Sequence, residues 1–198
     1  AQVHFQLAEL LSKSGKKNDA LNEFKAACHL SPNDQRMLLR KIFSLAEAGK
    51  SKEAELQAKE LCEKFPESIN HLTLLGDVYM VNENEQDAVE VYTKVIEINP
   101  RTVPALRGLS WLRSRAKNRQ IRNAEKAVQM AEFLMKSPGA NNNPDLNMVL
   151  GSAYNELGDK EKAIRYLNKS HDLALERFAL DVIRELKQNF PEMIPENK

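Results

Sequence analysis

The chain has 198 residues, of which 42% are hydrophobic, 29% are charged and only 6% are aromatic, and its formal net charge is +1. A charge this balanced excludes a global field that would attract nucleic acid or an acidic membrane surface. No apolar run approaches the roughly 20 residues that a membrane-spanning helix needs. The composition favours a helical protein whose core consists of alanine and leucine more than of large aromatic side chains.

Residues 1–68 contain two copies of one sequence pattern. Residues 1–34 predict two amphipathic helices with a turn at Gly15, because apolar residues recur at helical spacing on either side of that glycine. Residues 35–68 repeat the same pattern with Gly49 at the turn. Because the two glycines stand at the same place in two consecutive copies of equal length, the chain reads as a repeat array.

Residues 69–102 form the most complete copy of the pattern. Its landmarks are Leu72, Leu75, Gly76, Tyr79, Ala88, Tyr92, Val95 and Pro100. The turn glycine is replaced here by the polar stretch 82–85, with the sequence Asn-Glu-Asn-Glu. Since asparagine tolerates left-handed backbone geometry, we expect an asparagine to hold this turn.

The fourth copy, residues 103–143, is irregular. The Leu-Gly pair at Gly76 recurs at Gly151, which is two full periods plus a seven-residue insertion further along the chain. Register places most of the insertion between the two helices, around residues 116–122. The insertion either lengthens the first helix or makes a longer turn.

The fifth copy, residues 144–177, is regular again and has Gly158 at its turn. Apolar residues then continue at helical spacing over residues 178–190, which predicts a final helix that covers the exposed end of the array. The boundary between the two, at residues 174–177, stays open because a single continuous helix over residues 160–190 also fits the pattern.

The 34-residue period, together with Leu75-Gly76, Tyr79, Ala88, Tyr92 and Pro100, resembles the tetratricopeptide repeat family. The resemblance covers nearly the whole chain. It implies an all-α fold, a right-handed superhelical α-solenoid of antiparallel helix pairs, with residues 1–198 forming one array of five repeats and a capping helix. It also implies a concave face, lined mainly by the first helices, that commonly holds an extended peptide or a helix of a partner.

The sequence contains no motif that indicates catalysis or a bound cofactor. There is no glycine-rich phosphate loop, no HExxH, no CxxC and no GxSxG, and the four histidines are scattered. We therefore expect no enzyme activity, no catalytic residues, no metal and no cofactor.

Cys28 and Cys62 are one repeat period apart, so they occupy equivalent places on successive second helices. Equivalent second helices are separated by an intervening first helix, which puts the two thiols beyond disulfide reach. Two free thiols favour a reducing, cytoplasmic compartment only slightly. Because the chain begins in helical register without a methionine or a signal-like region, we expect it to be a piece of a longer or processed protein.

Register along the first helices predicts which side chains face the groove. The groove keeps the apolar anchors Leu39, Phe43, Met80 and Trp111, and aromatic and arginine residues are the types that dominate interface energetics. The predicted partner-binding residues are Leu39, Phe43, Asp77, Met80, Arg107, Trp111, Arg115 and Asn155. For Phe43 and Trp111, packing between repeats is an almost equally good interpretation.

Residues 101–122 contain seven arginines or lysines and no acidic residue. This asymmetry predicts a protein or peptide partner with acidic residues around an apolar anchor, and the chain is interpreted as a scaffold for protein–protein interaction. One alternative is nucleic-acid or acidic-ligand binding through the basic segment, although the stacking platforms of single-strand binders are missing. Another is a regulatory region of a larger enzyme or assembly protein.

Overall fold

The computed structural model describes residues 1–176 and 180–194, and these residues form helices and short connections without any strand. The all-α fold is therefore confirmed. Two compact units divide the chain, residues 1–100 and residues 101–198. The prediction of a single array over residues 1–198 stays a prediction.

The first unit contains three helix pairs. Their helices are α1 Gln2–Lys13, α2 Lys17–Leu30, α3 Gln35–Glu47, α4 Ser51–Lys64, α5 Ile69–Val81 and α6 Glu85–Ile98. Each first helix packs against the second helix of its own pair and, after the first pair, against the second helix of the preceding pair. Ala8, Ala20 and Ala88 are fully buried at these crossings, as the repeat pattern predicts, because a small side chain lets two helix backbones approach closely.

The second unit contains two further pairs and a last helix. Its helices are α7 Val103–Arg115, α8 Ala124–Met135, α9 Pro144–Glu156, α10 Lys160–Glu176 and α11 Leu180–Asn189, with one 3₁₀ turn at Ala140–Asn142. The last helix, Leu180–Asn189, lies within residues 178–190, where a capping helix was predicted, and its role as a cap stays a prediction. The boundary between α10 and α11 falls on residues 177–179, outside the described residues, so the question of one or two helices there stays open.

The turn prediction is right in three pairs and wrong in one. Gly15, Gly49 and Gly158 adopt left-handed backbone conformations with φ of 76°, 79° and 81°. In the third pair the left-handed residue is Glu83, with φ of 60°, and not an asparagine. The reason is register, because residue 83 lies one period after Gly49 and so inherits the conformation that the turn requires.

The seven-residue insertion makes a longer turn, since α7 ends at Arg115 and α8 begins at Ala124. The loop is ordered by its own contacts: Ile121 is only 3% exposed, and the Arg113 Nη1 atom donates a hydrogen bond to the Ile121 carbonyl at 2.8 Å. The backbone N–H of Asn123 donates to the Arg113 carbonyl at 2.7 Å. Arg113 therefore closes the loop against the end of α7.

Cys28 and Cys62 are free and half-buried, as their spacing predicts. Burial raises the pKa of both thiols, so both favour the protonated form. Within the described residues, no helix is both long enough and apolar enough to span a bilayer.

Candidate functional site

Leu39 and Phe43 lie one turn apart on α3 of the first unit, and both are half-buried. The guanidinium carbon of Arg40 lies 5.8 Å from the centre of the Phe43 ring and 5.5 Å from the centre of the Phe24 ring. This contact between a cation and two aromatic rings places a positive charge beside an accessible apolar side chain. Such a surface suits a ligand that has an apolar group and a nearby acid.

Asp77 and Met80 lie on α5 of the same unit, and both are half-buried. The Tyr92 hydroxyl donates a hydrogen bond of 2.5 Å to the Asp77 Oδ1 atom. Asp77 therefore already accepts a hydrogen bond within its own helix pair. Its predicted partner contact would have to use the remaining acceptor capacity of the carboxylate.

In the second unit, α7 carries Arg107, Trp111 and Arg115 at successive turns on one face. Their accessibility decreases along the helix: Arg107 is exposed, Trp111 is half-buried, and the Arg115 side chain is only 7% exposed. The two ends of this face are therefore different surfaces. One presents a solvated cation and the other a cation that the protein itself surrounds.

The Arg115 guanidinium contacts other elements of the second unit. Its Nη1 atom donates to the Ser152 hydroxyl on α9 at 2.8 Å, and its Nη2 atom donates to the Glu185 Oε1 atom on α11 at 2.5 Å. The guanidinium carbon also lies 5.8 Å from the centre of the Phe190 ring, just after α11. A residue predicted to bind a partner is thus bound by a glutamate and a phenylalanine of its own chain.

A cavity of about 240 Å³ lies beside Arg115. Its lining brings Arg115 and Asn155, two of the predicted site residues, together on one surface. The lining residues are Ser114, Arg115, Arg122, Ser152, Asn155, Glu156, Asn189 and Phe190. The lining is polar and mixed: two guanidinium groups lie beside the Glu156 carboxylate, and both serine hydroxyls already donate to backbone carbonyls of their own helices.

The structure also explains part of the basic segment. Arg122 donates from Nε to the Ala116 carbonyl at 2.6 Å and lies 3.7 Å from the Glu156 carboxylate, while Arg113 closes the inserted loop. With Arg115, three of the seven basic side chains therefore stabilise the unit. The sequence showed their charge but not these partners.

Glu185 and Phe190 were missing from the predicted site. The sequence did contain a signal: the apolar positions Val182, Leu186 and Phe190 share one face of the predicted last helix, and Glu185 borders that face. That pattern predicted a cap. It could not show that the helix reaches α7, which lies far earlier in the chain.

The groups with displaced pKa values are not among the residues that line this cavity. Burial, together with a hydrogen bond to Glu132 at 2.9 Å, raises the pKa of Tyr154 to about 12, and burial lowers the pKa of His71. Within residues 1–176 and 180–194, no three His, Cys, Asp or Glu side chains are grouped closely enough to hold a metal ion.

Paired antiparallel helices with alanine crossings, recurring with one fixed period, define a helical-repeat solenoid, a class of protein that serves as an interaction scaffold. A tetratricopeptide repeat family model matches residues 55–177, and a second such model matches residues 1–34. The first match alone covers more than half of the chain. The chain belongs to the tetratricopeptide repeat family.

Solved structures of this family share the fold. TTC0263, a thermophilic tetratricopeptide repeat protein of Thermus thermophilus, superposes with a TM-score of 0.73 at 18% identity, over 94% of this chain and 97% of that one. Yeast Tom70 superposes with a TM-score of 0.65 at 17% identity, over 94% of this chain but 39% of that one. At these identities the likeness concerns the fold alone.

Among curated proteins, the human protein O-mannosyl-transferase TMTC1 is 25% identical over 101 residues. The matched region is 51% of this chain, and it spans only 12% of the length of the human protein. The similarity is therefore to a segment of a much longer transferase.

Proposed function

We propose that this chain is a non-catalytic scaffold that binds a peptide or a helix of a protein partner in the groove formed by its first helices. The observation that carries the proposal is the contact of α11 with Arg115. An amphipathic helix of this very chain supplies a carboxylate and an aromatic ring to a groove residue. Those are the groups that the apolar anchors and the basic segment predict in a partner.

The first unit offers a second surface of the same chemistry. Leu39, Phe43 and Met80 are half-buried on first helices, and the Arg40 guanidinium lies beside the Phe43 ring. Aromatic and arginine side chains contribute most to binding when a partner covers them, and Phe43 and Arg40 are residues of these types. In the second unit, Trp111 and the exposed Arg107 repeat the combination of an apolar anchor and a cation.

The test is selection of ligands from a random peptide library displayed on phage, with the full chain immobilised. We expect the enriched peptides to share an apolar anchor with acidic flanks. We also expect them to bind the Phe43→Ala variant more weakly than the parent chain. Leu56→Ala is the matched control, because Leu56 is 60% exposed on the second helix α4. Failure to enrich any family of peptides, or equal affinity for both variants, would reject the proposal.

A regulatory region within a larger enzyme is the second candidate, and the match to a segment of TMTC1 favours it. A tetratricopeptide array in that setting would position a substrate protein or a regulator and would perform no chemistry itself. Expression of the complete gene product, with and without these residues, distinguishes the two functions. Loss of an enzyme activity after deletion of the array would support the regulatory role.

Nucleic-acid binding receives less support, since Arg113, Arg115 and Arg122 all bond within the unit. Titration with a single-stranded oligonucleotide at two salt concentrations tests it directly. Affinity that falls steeply with salt would favour nucleic acid over a peptide ligand.

A further inference from the structure

Helix α11 packs on the second unit through one apolar face. Leu186 is fully buried in a cluster with Met148 of α9 and Leu167 of α10, and Val182 and Phe190 pack against that cluster. These contacts cover the end of the fifth helix pair, which is all that a cap requires, because a repeat normally packs only on its neighbours.

Helix α11 also contacts Arg115, which a capping helix does not need to do. Arg115 belongs to α7, the first helix of the fourth pair, and α8, α9 and α10 come between α7 and α11 along the chain. A helix that only capped α9 and α10 would have no need to reach α7. By contacting α7 through Glu185 and Phe190, α11 lies against the face of the groove.

Helix α11 fills this groove only in part. Glu185 keeps 36% of its side chain exposed, so water weakens its pairing with Arg115. Beside the pair lies the cavity of about 240 Å³, which Asn155, Arg122 and Glu156 also line. A ligand that also filled this cavity would make contacts that α11 does not make.

We propose that α11 is a replaceable occupant of the second-unit groove, and that the partner is an amphipathic helix presenting a carboxylate to Arg115 and an aromatic ring next to it. This inference rests on the proposed scaffold function and names its ligand and its regulation. In the absence of partner the chain's own helix covers the groove, and binding requires its release. The apparent affinity is then the intrinsic affinity multiplied by the fraction of molecules in which the groove is open.

The probe is a fluorescein-labelled synthetic peptide of residues 180–194, LDVIRELKQNFPEMI, added to the full chain. Glu185→Lys weakens the internal contact but leaves Arg115 in place. We expect this variant to bind the peptide about fivefold more tightly than the parent, because the open fraction rises. Glu192→Lys is the matched control: it makes the same charge change at an exposed residue, and we expect parental affinity.

Two further variants distinguish release of α11 from unfolding of the chain. Glu185→Gln removes the charge with almost no change of shape, and it should also raise peptide affinity while leaving the melting temperature near that of the parent. The double variant Arg115→Glu with Glu185→Lys restores an ion pair of reversed polarity. It should close the groove again and repel the glutamate of the peptide.

Hydrogen exchange of the α11 amides provides an independent readout. Exchange should be faster in Glu185→Lys than in the parent and slow again in the double variant. Equal peptide affinity in the parent and both Glu185 variants, absence of peptide binding in all of them, or unchanged exchange would overturn the inference. Library peptides that bind through Phe43 would still support the scaffold function in that case, so the two failures are distinguishable.

Discussion

Gly76 of α5 faces the ring of Tyr92 in α6 so closely that a Cβ atom at residue 76 would lie 2.5 Å from the Tyr92 Cε1 atom. Gly151 stands in the same relation to Leu167, with a Cβ 2.6 Å from the side chain and 3.1 Å from the backbone nitrogen. The two glycines were sequence landmarks of the repeat. Their role is to let the first helix of a pair lie directly on the second.

We expect Gly76→Ala and Gly151→Ala to destabilise the chain by about 1–3 kcal/mol each, because a methyl group cannot enter without moving a packed neighbour. Gly151→Ala should cost more, since backbone as well as side chain must move. Urea denaturation measures the free energies of unfolding. Glu97→Ala, at an exposed position of α6, is the control, and glycine variants as stable as this control would contradict the packing argument.

Trp111→Ala should weaken binding of a selected peptide by about 2 kcal/mol or more if Trp111 is an interface anchor. Calorimetric titration measures the affinity, and circular dichroism measures whether helicity is preserved. Phe133→Ala on the second helix α8, where the side chain is 41% exposed, should leave affinity unchanged. A Trp111→Ala chain that unfolds would instead identify the indole as packing between repeats.

His71 makes stability depend on pH. Its ring is 4% exposed and lies 5.1 Å from the Phe65 ring, and burial lowers the pKa of His71 below the ordinary value of 6.5. Between the two pKa values the unfolded chain binds more protons than the folded one. The contribution of His71 is therefore complete above pH 6.5 and declines as pH falls from there towards the folded-state pKa.

The measurement is the free energy of unfolding of parent and variants between about pH 7.5 and 5. We expect the free energy of unfolding to fall less on acidification in His71→Phe than in the parent. His29→Gln, at an exposed histidine, should keep the parental decline. Identical pH profiles for His71→Phe and the parent would show that His71 is not responsible.

Arg113→Ala should destabilise the second unit by about 1–3 kcal/mol, because the Ile121 carbonyl loses its hydrogen-bond donor at a largely buried site. The inserted loop should also open more often, which limited trypsin digestion at Arg119 would detect as faster cleavage. Arg107→Ala, on the exposed part of the same helix, is the matched control. Equal digestion rates for the two variants would show that Arg113 does not hold the inserted loop closed.

Much of the fold was predictable because the determinants are local and periodic. Ala20, Ala54 and Ala88 recur every 34 residues, and each is fully buried in its helix pair, so the repeat period indicates the helix pairs directly. The left-handed turn at residue 83 could have been found in the same way. Residue type suggested an asparagine there, but register was the stronger determinant.

The candidate site was less predictable because it depends on contacts between distant segments. Register identified Arg115 and Asn155, which now line one cavity, but nothing local indicated that Glu185 would lie at Arg115. Arg113 was visible in the sequence as one of the seven basic residues of the segment 101–122. Its carbonyl partner lies in the insertion, which has no counterpart in the other repeats.

The left-handed backbone of Glu83 has a consequence for how the third helix pair assembles. A residue with a Cβ atom disfavours this conformation by about 1–2 kcal/mol, whereas glycine adopts it freely. The helix pair with the most complete family signature therefore reverses the chain direction at a residue that disfavours the required conformation, and the packing of α5 on α6 has to offset that cost. Glycine at residue 83 would remove the cost, as Gly49 does in the preceding pair.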